Sequence, residues 1–186
     1  MNRALPPLAK DLFPMGVRVI AVQGLPAVED TAEDGGSSFT LKDQDGNDFD
    51  ISPILGRKKL VIFFYPQDGS LNCTREACYF RDLSDVFDEA GAVVIGISSQ
   101  SVESHKEFAD KNRLKYTLLS DNENKVRKLF GVPGRIFGLI PGRVTYVADR
   151  SGKVVYIFDS QTETQRHADE ALKICLLLKR TDNAGI

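Results

Sequence analysis

Three cysteines and two histidines are the soft, nucleophilic side chains of this 186-residue chain. Cys73 and Cys78 stand five positions apart, just beyond an apolar run over residues 59–65 and a short polar loop over 66–70. The run reads as a buried strand, and residues from about 72 onward read as a helix, so Cys73 falls where that helix begins. Unpaired backbone N–H groups and the positive end of the helix dipole favour an anion there. A thiolate is such an anion and is the nucleophilic form of cysteine. Pro66 and Ser70 precede it in the spacing Pro-x-x-x-Ser-x-x-Cys. Proline stiffens the exit from the strand, and the serine hydroxyl can donate to an incoming oxygen and accept from the thiol or the substrate.

A second reading of Cys73 is open on these grounds: a free cysteine is often a small buried hydrophobe. The polar loop and helix start argue against it. Cys78 is equally open. On a wound helix, five residues separate Cα atoms by ~7.5 Å of rise and ~140° of rotation. A disulfide needs Cα atoms within about 7 Å and converging Cβ vectors. Cys78 therefore either packs on the helix or meets Cys73 only after the first turns unwind. Zinc is disfavoured, because Cys175, His105 and His167 form no second close pair to complete the ligand set.

The elements that must hold this stretch follow from the pattern around it. Residues 38–50 read as a hairpin turned at Asp45-Gly46. Residues 72–90 follow a helical period, with Ala77, Phe80, Leu83, Phe87 and Ala90 on one stripe and Gly91 as terminator. Strands are expected at 92–98, 116–119, 143–147 and 154–158, and helices at 101–112, 122–130 and 163–179. In the last helix, Ala168, Ala171, Leu172, Cys175, Leu176 and Leu178 face inward or nearly so, and His105 and His167 are expected on helix surfaces. The order predicts a layered α/β domain with helices on both faces of the sheet and an antiparallel hairpin at its end.

Length fits one full core, and 42% apolar with 27% charged residues is ordinary for a soluble globular chain. A net charge of −2 points to neither nucleic acid nor an anionic membrane. No apolar run approaches the ~20 residues of a membrane span. Three cysteines do not make a disulfide-stapled scaffold, and no secretory signal is legible, so a reducing, cytosol-like compartment is expected. Residues 1–36 have no clear period and end in an acidic, Gly-rich linker; they read as a partly ordered extension preceding a domain over 37–186.

The stretch Pro66-x-x-x-Ser70-x-x-Cys73-Thr74-x-Glu76-x-Cys78-x-Phe80-Arg81-Asp82 resembles the peroxiredoxins of the bacterioferritin-comigratory-protein or Q branch. Phe39-Thr40-Leu41-x-Asp43-Gln44-Asp45-Gly46, Ser104-His105-Lys106-x-Phe108 and Pro141-Gly142-Arg143-x-Thr145-Tyr146-Val147 extend the likeness. The resemblance implies a thioredoxin-like fold with a central mixed sheet flanked by helices and an N-terminal β-hairpin. It implies a peroxidase acting on hydrogen peroxide and organic hydroperoxides. Cys73 would be oxidised to a sulfenic acid, Cys78 would resolve it as an intramolecular disulfide, and a thioredoxin-type dithiol would reduce that. Ser70 and Arg143 would bind the peroxide oxygens, and Glu76 would orient an arginine. Neither metal nor organic cofactor is implied, and a monomer or weak homodimer is expected. A redox sensor using the same cysteines with little turnover is the alternative function. Because plant and algal members are plastid-targeted, a plastid is the alternative compartment. Ser70 replaces the usual Thr, and Leu71-Asn72 replace a usual Pro-Gly, which puts peroxide preference and rate in question.

Overall fold

The strand that leads to Cys73 is buried along its whole length, because its side chains alternate between two cores. In the computed structural model, which describes residues 38–183 except 136 and 139, it is β3 (Lys59–Phe64). Val61, Phe63 and Tyr65 join one core with residues of α1 (Leu71–Asp82), α2 (Ser84–Glu89), α3 (Val102–Asn112) and α5 (Thr164–Asn183). Leu60, Ile62 and Phe64 join the other, closed by Phe39, Ile51 and by Val126 of α4 (Lys125–Leu129). Helices cover both faces, as the β-α order requires, but unevenly.

The remaining strands are β1 (Thr40–Asp43), β2 (Asp48–Asp50), β4 (Ala92–Ser98), β5 (Thr117–Ser120), β6 (Gly134–Arg135), β7 (Ile140–Pro141), β8 (Val144–Ala148) and β9 (Val154–Asp159). Seven of them form a mixed sheet in the order β2-β1-β5-β4-β3-β8-β9. β3 runs parallel to β4 and antiparallel to β8. Phe64 pairs with Val144, so Arg143 arrives at the carboxyl end of β3, beside the loop that opens α1. In open α/β sheets this edge is where ligands collect. Gly96 of β4 keeps the layers close: a Cβ there would lie 2.7 Å from Leu118 and 2.8 Å from Phe63.

The expected N-terminal hairpin is β1–β2, with Gly46 at φ 83° in its turn. The expected extension over 1–36 lies outside the described residues. Elsewhere the chain departs from the pattern in ways that have local causes. The helix expected over 72–90 is divided at Leu83. The Ser84 hydroxyl donates to the Phe80 carbonyl at 3.2 Å and competes with the helix's own bonding. The helix expected from 122 starts at Lys125, because the Asp121 carboxylate takes the N–H groups of Val126 and Arg127 at 3.3 and 2.8 Å. The small β6–β7 pair was not expected. Leu176 is 42% exposed rather than inward. The largest correction concerns the histidines: both are fully buried, not surface residues.

Candidate active site

Ser70 sets the start of α1. Its backbone is extended (φ −68°, ψ 149°), and its Oγ accepts the Cys73 N–H at 3.3 Å. The Ser70 carbonyl takes the Thr74 N–H at 2.9 Å. This is an ordinary N-cap, and it leaves the hydroxyl hydrogen free for another acceptor. Cys73 thus occupies the first turn of the helix, as expected. It is nonetheless only 1% exposed and part of the core, so a loop-to-helix junction proved no barrier to burial. Leu71 and Asn72 are exposed, so the added bulk of these two residues points to solvent.

Arg143 comes from the other side. Gly142 before it approaches the Pro133 carbonyl so closely that a Cβ would lie 2.3 Å from that oxygen. Arg127 fixes the same peptide by donating to the Gly142 carbonyl at 2.8 Å. Arg143 is 2% exposed. Its Nη2 lies 3.3 Å from Cys73 Sγ, its Nε donates to the Gln161 carbonyl at 3.3 Å, and its Nη1 donates to Glu76 Oε2. Glu76 is three residues beyond Cys73 and so lies on the same helix face. Glu76, expected to orient an arginine, is in contact with Arg143 and is buried.

A further layer stands behind Glu76. His167 Nε2 faces only the Ser160 carbonyl, at 2.8 Å, so that nitrogen carries the hydrogen, and Nδ1 accepts from the Thr145 hydroxyl at 2.8 Å. Burial pulls the His167 pKa down to about 4, which keeps the ring neutral. Glu76 Oε1 lies 3.6 Å from Nδ1 and has no hydrogen-bond partner. Burial pushes the Glu76 carboxyl up to about 8, against the pull of Arg143. Burial disfavours the Arg143 cation, but Glu76 and Cys73 more than offset it, so the guanidinium stays charged.

The arrangement can hold a thiolate and stabilise a second negative oxygen beside it. The helix start and the Arg143 guanidinium both turn positive charge toward Sγ. Ser70, Cys73, Glu76 and Arg143 are brought together. Among the described residues, no hydrogen bond joins Pro66 or Cys78 to the Cys73 thiol. Pro66 stands in the loop two residues beyond β3. Cys78, half-buried, lies with Arg81 Nη1 at 3.6 Å and Asn112 Oδ1 at 3.7 Å. Both cysteines are free thiols on the wound helix. Cys175 is fully buried in the core, and burial pushes its thiol up to about 12, so it is an inert packing residue as expected. Among the described residues, no three His, Cys, Asp or Glu side chains gather as a metal site would need.

Neither His167 nor Gln161 was expected in this setting, and Thr145 was named only within the Arg143-x-Thr145 pattern. One signal existed: His105 precedes Phe108 and Ala109 by three and four residues, and His167 precedes Ala171 by four, so both lie on the apolar stripes of their helices.

A cysteine at the helix start after a central strand, met by an arginine just before the neighbouring antiparallel strand, is an arrangement of the thioredoxin-like class. The chain belongs to the AhpC/TSA family, whose profile matches residues 30–157. It is 50% identical over 141 residues to the chloroplastic peroxiredoxin Q of Sedum lineare, covering 76% of this chain and 75% of that protein. To the chloroplastic peroxiredoxin Q of Triticum aestivum it is 52% identical over 137 residues, covering 74% of this chain but only 63% of that longer protein. The crystal structure of peroxidoxin BcpB from Mycobacterium tuberculosis superposes with a TM-score of 0.70 at 34% identity, covering 86% of this chain and 96% of that one. The fold and the family expected from the motif are thereby both shown; peroxiredoxins are thiol-dependent peroxidases.

Proposed function

We propose that this chain is a thiol-dependent peroxidase in which Cys73 is the peroxidatic cysteine and Cys78 the resolving one. The observation that carries the reading is the Arg143 Nη2 group 3.3 Å from Cys73 Sγ, at a helix start capped by Ser70. The Cys73 thiolate attacks the terminal oxygen of a peroxide ROOH. The O–O bond breaks, the leaving oxygen takes a proton and departs as ROH (water when R is hydrogen), and the sulfur becomes a sulfenic acid. Arg143, the Ser70 hydroxyl and the N–H groups at the helix start hold the peroxide oxygens and stabilise charge on the leaving one. Glu76 holds the Arg143 fork in place, and Pro66 shapes the loop that presents the thiol.

Cys78 then attacks the Cys73 sulfenic acid. An S–S bond forms and the hydroxyl leaves as water. Both residues lie within α1, so the step requires that helix to unwind locally. A thioredoxin-type dithiol reduces the disulfide by exchange and is itself oxidised. The scheme uses neither metal nor organic cofactor. Hydrogen peroxide and organic hydroperoxides are the substrates. The assembly proposed is a monomer or weak homodimer. A sensing role with little turnover is not favoured: the relatives are peroxiredoxins, and a cation poised at the sulfur is what turnover needs. The two plant relatives are chloroplastic, which supports the plastid alternative over a cytosol-like compartment.

The test is peroxide consumption with a thioredoxin system. Cys73→Ser should abolish it and Cys78→Ser should reduce it strongly. One equivalent of peroxide should yield one intramolecular disulfide, mapped by mass spectrometry to Cys73 and Cys78. Full turnover by Cys73→Ser, or a disulfide to Cys175, would overturn the scheme.

A further inference from the structure

Helix α3 touches the strand-loop-helix stretch at two places, one near each cysteine. Near its N-terminus, His105 Nδ1 donates to Asp68 Oδ2 at 2.8 Å, and the Ser104 hydroxyl donates to the same oxygen at 2.7 Å. Tyr65 adds a third donor, to Asp68 Oδ1 at 2.7 Å. With Nδ1 donating, Nε2 is the acceptor of the ring, and the Ser98 hydroxyl stands 3.4 Å from it. Asp68 belongs to the loop that ends at Ser70, so this clasp holds the segment that presents Cys73. It is buried: the Asp68 and His105 side chains are 7% and 0% exposed. Burial alone would push the Asp68 carboxyl up, and the bonds from His105, Ser104 and Tyr65 together outweigh it and hold it below the usual range.

At the other end, Arg81 Nη1 donates to the carbonyl of Asn112, the last residue of α3, at 2.7 Å. A helix's last carbonyls lack intrahelical partners and favour a cation. The Cys78 thiol donates to Asn112 Oδ1 at 3.7 Å. Of these contacts, that of the thiol exists only while Cys78 keeps its place on the wound helix. They are looser than the first clasp, with the Arg81 side chain 28% exposed.

We propose that α3 splints the reactive stretch at both ends, with Asp68 and Arg81 as positioning residues for different steps. The Asp68–His105 clasp holds the loop for oxidation of Cys73. The Arg81–Asn112 clasp retains Cys78 and sets how fast it is released for resolution. This rests on the reading of Cys78 as the resolving cysteine. Because the Arg81 contacts favour the wound helix over the unwound one, weakening them speeds the second step. The net worth of one partly exposed hydrogen bond corresponds to about a threefold to tenfold change in rate.

The experiment follows oxidation and disulfide formation as separate phases after rapid mixing with peroxide. In Arg81→Gln, disulfide formation should speed up about threefold to tenfold, with the oxidation phase as in the native chain. Arg81→Lys should fall between. The peroxide concentration that drives Cys73 on to its sulfinic acid should rise in step. In Asp68→Asn, the oxidation phase should slow about tenfold, with disulfide formation from the sulfenic acid as in the native chain. Ser104→Ala, which removes one donor of three, is the milder arm should Asp68→Asn fail to fold. A slower resolution phase in Arg81→Gln would show that Arg81 serves the Cys78 thiol itself, and would overturn the splint. So would both positions changing the same step. Absence of any Cys73–Cys78 disulfide in the native chain would instead overturn the reading of Cys78, and that is seen before any variant is made.

Discussion

Cys73 and Cys78 lie on one helix, and each has a guanidinium beside its sulfur, yet the two settings differ in depth. Arg143 reaches Cys73 from a distant strand at 3.3 Å and is itself held by Glu76 and the Gln161 carbonyl, with His167 and Thr145 behind. Arg81 reaches Cys78 from its own helix at 3.6 Å and spends its other nitrogens on the exposed Asp82. The first cation is 3% exposed at its side chain and the second 28%. A charge in a dry, fixed frame acts strongly on its neighbour, whereas a solvated one is screened. On the proposed reading, the Cys73 end keeps its geometry and the Cys78 end gives its own up.

Removing the deep cation has the largest expected effect. Arg143→Gln keeps hydrogen-bonding capacity but loses the charge and the fork. Oxidation of Cys73 should fall by about 10²–10³, the loss typical of one preorganised oxyanion donor. Arg143→Lys should recover little, because a point charge cannot serve Sγ, Glu76 and Gln161 together. A loss under about threefold, measured as the second-order rate with peroxide, would mean that the buried frame adds nothing over a solvated arginine.

Smaller is the effect of loosening the helix start alone. Ser70→Ala removes the cap on the Cys73 N–H and should lower stability by about 1 kcal/mol. It also removes a hydroxyl from the peroxide site, so the oxidation rate should drop about tenfold. Ser70→Thr should restore both. Denaturant unfolding and the oxidation rate, measured on the same preparation, check the pair of effects. If Ser70→Ala lowered stability without touching the rate, Ser70 would be a cap and nothing more.

Why the Cys73 end was more legible than the rest follows from where its signals sit. The continuous run over β3, the polar loop and the cap are local, so period and residue type reveal them. Arg143 was reached through a resemblance, since no local pattern ties residue 143 to residue 73. The buried histidines were missed because their partners are remote in sequence: Ser98 and the Leu119 carbonyl near His105, and Thr145 and the Ser160 carbonyl near His167. A histidine on an apolar stripe is a surface residue or a satisfied core one according to those partners. The β6–β7 pair is two residues per strand, too short to carry a period. The break at Leu83 has a local signal, a serine inside a helical stretch, but the apolar stripe around it is the stronger one.

The subtlest prediction concerns Glu76, which makes the Cys73 frame sensitive to alkali in a way the Cys78 end is not. Its carboxyl is raised from 4.5 to about 8 in the fold by burial, against the pull of Arg143. Between those values the folded chain keeps a proton that the unfolded chain has released. Stability from this group is therefore greatest at low pH and is lost as pH rises through 4.5 to about 8. Glu76→Gln mimics the protonated form, so its oxidation rate at pH 7 should stay within about threefold of the native chain. The native rate should turn down above a pH of about 8, where a buried carboxylate appears beside Arg143 and competes with the Cys73 thiolate for its charge. The variant should show no such decline, and its denaturant midpoint should not slope downward with pH in that window. Superimposable pH profiles for the two proteins would show Glu76 ionised throughout, and Arg143 would then act on Cys73 as one half of a buried ion pair.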